Sequence, residues 1–318
     1  MQTTLKLQAH DGMKKTTFAV RIRKELVKNR TLYLLSVPVV LYFIIFHYAS
    51  MFGLLIAFKE FDLTLGVFGS PWVGFKHFTD FFTGLYFWRT LRNTLVISGY
   101  GILFGFTSSI VFALLLNELR GRLFKKTVQT ITYLPHFISL VVVCGMLVDM
   151  FSSDGALTGL LVQLGLPRTN YVNSPEYFRR VYIISDIWQG VGWNSIIYLA
   201  ALSGIDQQLY EAATIDGAGR FRQAIHITLP GISQTVITML ILSLGRVLSV
   251  GYEKIILLYS PRTYEVADVI SSYVYRMGLN NFMYSYSTAV GMFQSIINII
   301  LLLTANQISK KLSSSSLF

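Results

Sequence analysis

Charge is scarce in this sequence. Of 318 residues only 14% are Asp, Glu, Lys or Arg, while 53% are hydrophobic; a soluble domain carries roughly 25% charged residues. The shortage argues against an ordinary soluble globule and for a polytopic membrane protein. Cysteine is nearly absent as well. Cys144 alone, inside an apolar run, excludes an internal disulfide framework. No GxxxxGKS or GxxxxGKT run occurs, so the chain supplies no P-loop for ATP. His10, His47, His77, His136 and His226 are scattered, and no His/Cys/carboxylate group has metal-ligand spacing. No nucleophile–base pair stands out either. The chain is therefore expected to be no enzyme and to hold no metal or cofactor of its own. The net charge of +11 would suit a nucleic-acid partner, but the basic residues cluster just outside apolar segments. Membrane proteins distribute charge in this way, so lipid is the expected surroundings and nucleic acid is not an expected partner.

Six apolar segments are present, at 32–58, 93–116, 127–148, 181–202, 232–252 and 287–308. At ~1.5 Å per helical residue each can cross a ~30 Å hydrocarbon core. The expected fold class is all-α, a six-helix membrane domain over 31–312. It lies between a basic tail, 1–30, and a short tail, 313–318. The first apolar run is far longer than the about 7–15 residues of a signal peptide's core and shows no small-residue cleavage site. It is expected to remain as a span, bent at Pro38. Amphipathic helices that do not cross are expected at 75–88 and 265–276. Gly101 and Gly105 offer a small-residue face for a neighbouring helix, and His136 beside Pro135 is expected at the membrane interface.

The basic residues set the orientation. The N-terminal tail, the 117–126 loop, the 204–230 loop and the C-terminus hold 16 Lys and Arg, against 10 in the three much longer loops of the other side. The denser set is expected inside, with both termini.

Three late segments carry polar stripes at helical spacing: Asp186, Gln189, Trp193 and Asn194 on the fourth; Ser243, Arg246 and Glu253 on the fifth; Gly291, Gln294, Ser295 and Asn298 on the sixth. A charge at the bilayer centre costs roughly 2.5–3.5 kcal/mol on insertion scales, so Asp186 and Arg246 should face protein or water. Two readings stand. The stripes line a polar translocation path, where amides and carboxylates bond sugar hydroxyls and tryptophan covers a pyranose face. Alternatively they are interhelical glue, with an Asp186–Arg246 pair. If Arg246 faces an open cavity, it suits the carboxylate of an acidic sugar.

One loop between two apolar segments is organised like a device. Asp206 is placed to cap a short helix bearing Leu209, Ala212 and Ala213 on one side. Asp216-Gly217 should end it, and a second helix with Phe221, Ala224, Ile225 and Thr228 should run to Leu229-Pro230. The order is Glu211-Ala212-Ala213, three residues, Gly217, nine residues, Ile227, one residue, Leu229-Pro230. This pattern resembles the EAA loop of ATP-binding-cassette (ABC) importer permeases. The likeness extends over much of the chain, and 251–255, 258–261, 264–270 and 273–279 are similar to the subgroup that moves oligosaccharides or polysaccharide fragments. Arg246 departs from it, standing where many relatives have a neutral polar residue.

The resemblance implies a six-helix permease core of the maltose-permease type in a bacterial cytoplasmic membrane. It implies a second permease subunit, as a heterodimer or a homodimer, and two cytoplasmic ATPase subunits that carry ATP and Mg. A solute-binding protein outside completes the set. Glu211, Ala212, Ala213, Gly217, Ile227, Leu229 and Pro230 would then form the ATPase coupling element. An ATP-independent secondary transporter or channel would explain the polar stripes, but not this loop.

Overall fold

The computed structural model describes residues 28–119 and 121–312. The basic tail before residue 28, Arg120 and the 313–318 tail lie outside the described residues. The chain divides into two units, Met1–Leu55 and Ile56–Phe318. The described residues form helices and turns, with one isolated bridge between Lys59 and Trp72.

Most of helix α1, Arg30–Phe58, belongs to the first unit and is 29 residues long. Pro38 lies inside it, and the helix continues through a wider π turn at Phe43–Tyr48. The proline therefore loosens this span without ending it.

In the second unit, the amphipathic helix expected at 75–88 is split. Helix α2, Lys76–Thr83, stops at Gly84, and α3, Phe87–Glu118, takes over. The third expected span is also two pieces, α4, Arg122–Phe137, and α5, Leu140–Met150, bent by 96°. Pro135 has no N–H to give, and Ile138 and Ser139 are extended there. A short helix, α6, Ala156–Gln163, leads to α7, Pro175–Leu202. Pro175 is at the first helical position, where its fixed φ suits the start. With 28 residues, α7 is about 42 Å long and carries the first polar stripe.

Helices α8, Gln207–Ile215, and α9, Arg220–Gly231, form the loop described below, and α10, Ser233–Leu244, leaves α9 at 61°. The expected span 232–252 does not run through. The chain turns after Leu244 and resumes as α11, Tyr252–Leu258. The break is held from a distance: the Leu248 N–H donates to Asn298 Oδ1 at 3.0 Å, and Asn298 Nδ2 donates to Ser249 at 2.8 Å. Gln294 donates to Ser249 and Ser271, each at 3.1 Å. Both amides belong to α14 (Tyr284–Leu312), which follows α12 (Tyr264–Ala267) and α13 (Ile270–Tyr275).

Among the described residues α1, α3 and α14 are long and apolar enough to cross a membrane alone, and the bent pairs α4–α5 and α9–α10 are so together. Exposed apolar surface is abundant, as at Leu103, Leu115, Val141 and Ile299.

The core of the second unit lies in three clusters. Ile97, Val143, Tyr182 and Ile255 join α3, α5, α7 and α11. Phe81, Leu248, Ile270 and Val290 form a second cluster, and Ile110, Tyr198 and Ile232 a third, which leads to the α8–α9 loop. Cys144 is buried in the first.

The 265–276 stretch is not one amphipathic helix. It breaks at Asp268, whose side chain is fully buried and accepts from Arg276 at 3.0 and 2.6 Å, Arg89 at 3.2 Å and Ser272 at 2.9 Å. Burial opposes the charge on Arg276, but the Asp268 carboxylate outweighs it and holds that guanidinium above its ordinary range. Asn93 donates to the carbonyls of Glu265 and Asp268 at 2.9 and 3.1 Å. The break is thus a polar anchor onto α3.

Candidate functional site

The α8–α9 loop forms a helix–turn–helix. Asp206 caps α8, its Oδ1 accepting the Gln208 N–H at 2.9 Å. At the other end Gly217 has φ +75°, and the Ala218 N–H returns to the Ala213 carbonyl at 2.8 Å. The two helices are pinned by residues outside the motif. The hydroxyls of Tyr210 and Thr228 lie 3.0 Å apart, and Gln223 Nε2 donates to Thr214 and to the Ala218 carbonyl, each at 3.0 Å.

The side bearing Leu209 and Ala212 is turned outward from this chain, with Ala213 half-buried. Glu211, Gly217, Leu229 and Pro230 are exposed and Ile227 is half-buried. Ile215 and Phe221 are 86% and 79% exposed. So much apolar surface at the tip of a loop marks a surface made for contact.

The second feature is a cavity of about 1030 Å³ between α3, α7, α10 and the broken 245–254 stretch. Asp186, Trp193, Asn194, Arg246 and Glu253 line it. The other expected path residues do not. Gln189 turns to the Ile138 carbonyl at 3.5 Å. Gln294 and Asn298 hold the break after α10, so on the last stripe hydrogen-bonded glue is what the structure contains. Gly101 and Gly105 also differ from expectation. No atom beyond the local helix lies within 4 Å of where their Cβ atoms would stand, and both line the cavity. His136 stacks on Trp193 with centroids 4.5 Å apart and planes 4° apart, and so braces a cavity wall.

The Asp186–Arg246 pair does not form. Asp186 Oδ1 instead meets Lys254 Nζ at 3.3 Å. Arg246 is exposed in the cavity wall and has no ion-pair partner among the described residues. Lys254 was missed because it follows the break; a continuous helix from α10 would have pointed it elsewhere. The sequence signal was its place beside Glu253 in an otherwise apolar run.

This architecture has known relatives. The family model described as "Binding-protein-dependent transport system inner membrane component" matches residues 101–314. Protein LplB of Bacillus subtilis is 44% identical over 294 residues, covering 92% of each chain. The polygalacturonan/rhamnogalacturonan transport system permease protein YteP of the same organism is 43% identical over 299 residues, 94% of this chain and 93% of that one. Among solved structures, a bacterial ABC transporter involved in import of the acidic polysaccharide alginate has a chain with TM-score 0.86 and 43% identity, covering 92% of this chain and 99% of its own. The bacterial alginate transporter in complex with its alginate pentasaccharide-bound periplasmic protein gives TM-score 0.86, 42% identity, and coverage of 93% and 100%. With a family model spanning most of the helical domain and close relatives along nearly the whole length, the chain belongs to the binding-protein-dependent transport system inner membrane components, as a permease subunit of an ABC importer and not an enzyme.

Proposed function

We propose that this chain forms half of the translocation path of an ATP-driven importer for acidic oligosaccharides. The observation that carries this reading is Arg246, an exposed cation in the cavity wall with no ion-pair partner among the described residues. A guanidinium left free in the cavity wall is available to a ligand, and its planar fork fits a carboxylate. Similarity to a polygalacturonan/rhamnogalacturonan permease and to alginate importer structures supports a uronate-containing cargo.

The other parts of the proposal follow from family membership. A second, similar permease closes the path, most simply as a heterodimer. Two cytoplasmic ATPases bind ATP and Mg and dock on the exposed α8–α9 surface through Glu211, Ala212, Ala213 and Gly217, with Ile227 and Leu229-Pro230 setting the second helix. A solute-binding protein delivers the saccharide from outside. Closure of the ATPases moves the two loops, and the permease pair rocks between states. Binding-protein dependence displaces the ATP-independent alternative.

Arg246→Gln tests the cargo. In proteoliposomes holding the complete complex, uptake of an oligogalacturonide is expected to fall about tenfold, the equivalent of ~1.4 kcal/mol. Uptake of its fully methyl-esterified, neutral form should be little changed. Equal loss for both substrates would make Arg246 structural and remove the argument for an acidic cargo.

Six spans in the cytoplasmic membrane with both termini inside make a separate prediction. With Cys144 replaced, a cysteine at Ser203 should be blocked by an impermeant thiol reagent from the cytoplasmic side, and one at Ser174 from outside. Blocking of both from one face would refute the topology.

A further inference from the structure

Lys254 is 3% exposed although it borders the cavity. Its ammonium donates to Asp186 Oδ1 and to the Tyr182 carbonyl, each at 3.3 Å, and stands 4.9 Å from the Tyr182 ring centroid. Its partner is in a different position. The Asp186 side chain is 57% exposed, and no protein group among the described residues bonds its second oxygen. One end of the pair is sunk in the wall, and the other presents a fixed carboxylate oxygen to the cavity.

Stability does not account for such a pair. Buried ion pairs are often matched or bettered by well-packed apolar residues, and Lys254 packs beside the apolar cluster of Ile255, Tyr182 and Cys144. A methionine would suit that environment. The anchored carboxylate does have a chemical use. An ionised carboxylate only accepts hydrogen bonds, and sugar hydroxyls donate them.

We propose that Lys254 is a positioning residue for saccharide recognition: it fixes the Asp186 carboxylate so that the second oxygen accepts hydrogen bonds from sugar hydroxyls. This rests on the saccharide reading above, but not on the acidic one. Arg246 would read the carboxylate of a uronate, and Asp186, held by Lys254, the hydroxyls present on acidic and neutral sugars alike. The break after α10 serves this arrangement, since it is the turn at 245–251 that brings Lys254 back against α7.

The test uses the complete reconstituted complex with its binding protein, loaded with an oligogalacturonide or with the methyl ester. Half-saturation and maximal rate of uptake are read separately. Asp186→Asn and Lys254→Met are each expected to raise half-saturation about tenfold for both substrates, ~1.4 kcal/mol, with the maximal rate retained. Lys254→Arg should restore most of the affinity. Lys254→Met/Asp186→Asn should be no worse than either single variant and no better, because both remove the same fixed oxygen. If the pair is only glue, the neutral double variant regains wild-type half-saturation, and that result overturns the proposal, as does wild-type half-saturation in Asp186→Asn. An effect on the acidic substrate alone also overturns it. Failure of the acidic reading looks different, since Arg246→Gln would then act on both substrates or neither while the Lys254 result still reads on the methyl ester.

Discussion

A complex carrying Gly217→Arg is expected to assemble and insert, yet to show no substrate-stimulated ATP hydrolysis. Gly217 ends α8 at φ +75°, where an L-residue costs roughly 1–2 kcal/mol. That cost is local and borne by an exposed turn. Within the chain there is room, for no atom lies within 4 Å of where a Cβ would stand. The obstruction therefore falls on the partner. An arginine here projects from a surface whose apolar neighbours, Ile215 and Phe221, are nearly bare, and in the proposed coupling role it would hold an ATPase groove away from Ala212 and Ala213. Gly217→Ala carries the backbone cost without the bulk and should keep most of the stimulation. The measurement is ATPase activity in proteoliposomes with and without loaded binding protein. Full stimulation in the arginine variant would take this loop out of the coupling route.

A large stability effect is expected from Gly192→Ala, in the middle of α7. A Cβ there would stand 2.2 Å from the Thr132 carbonyl oxygen and 3.0 Å from the Tyr133 ring. The obstacle is backbone, which cannot rotate aside, so α4 and α7 must separate. Overpacking typically costs 1–3 kcal/mol, and a rigid carbonyl at this distance places the loss near ~3 kcal/mol. Thermal unfolding of the detergent-solubilised complex should shift down by several degrees. Gly101→Ala, with open space around it, should leave the midpoint in place. Equal midpoints for the two variants would show that α4 and α7 do not meet as closely as described.

These two sites were not equally legible in the sequence. The loop was read almost entirely from local signals. Asp206 caps and Gly217 reverses the chain through interactions a few residues long, so sequence spacing reports them directly. Gly192 gave no comparable signal, because its neighbour Thr132 is remote in the chain. The small-residue pair that did attract notice, Gly101 and Gly105, faces the cavity instead.

The broken helices were hidden for a related reason. Hydropathy reports what a segment is made of, not the path it follows. The 232–252 run is largely apolar, and after it stops at Leu244 the turn is held from α14, about fifty residues on, where Asn298 accepts the Leu248 N–H and donates to the Ser249 hydroxyl. Once the helix is broken, stripe arithmetic across the break fails. This is why Asp186 meets Lys254 and not Arg246. The amphipathic pattern at 265–276 failed in the same way, since it assumed a continuous helix where Asp268 turns inward onto two arginines.

The claim on which the account depends is ATP-driven import of an acidic saccharide through a path that includes Arg246. It is tested most directly by uptake of a radiolabelled oligogalacturonide into proteoliposomes containing the whole complex. ATP is enclosed, all ion gradients are collapsed, and the binding protein is supplied outside. The account predicts uptake that requires both ATP and binding protein and exceeds uptake of the methyl ester. Uptake without ATP, or a preference for the methyl ester, would contradict it.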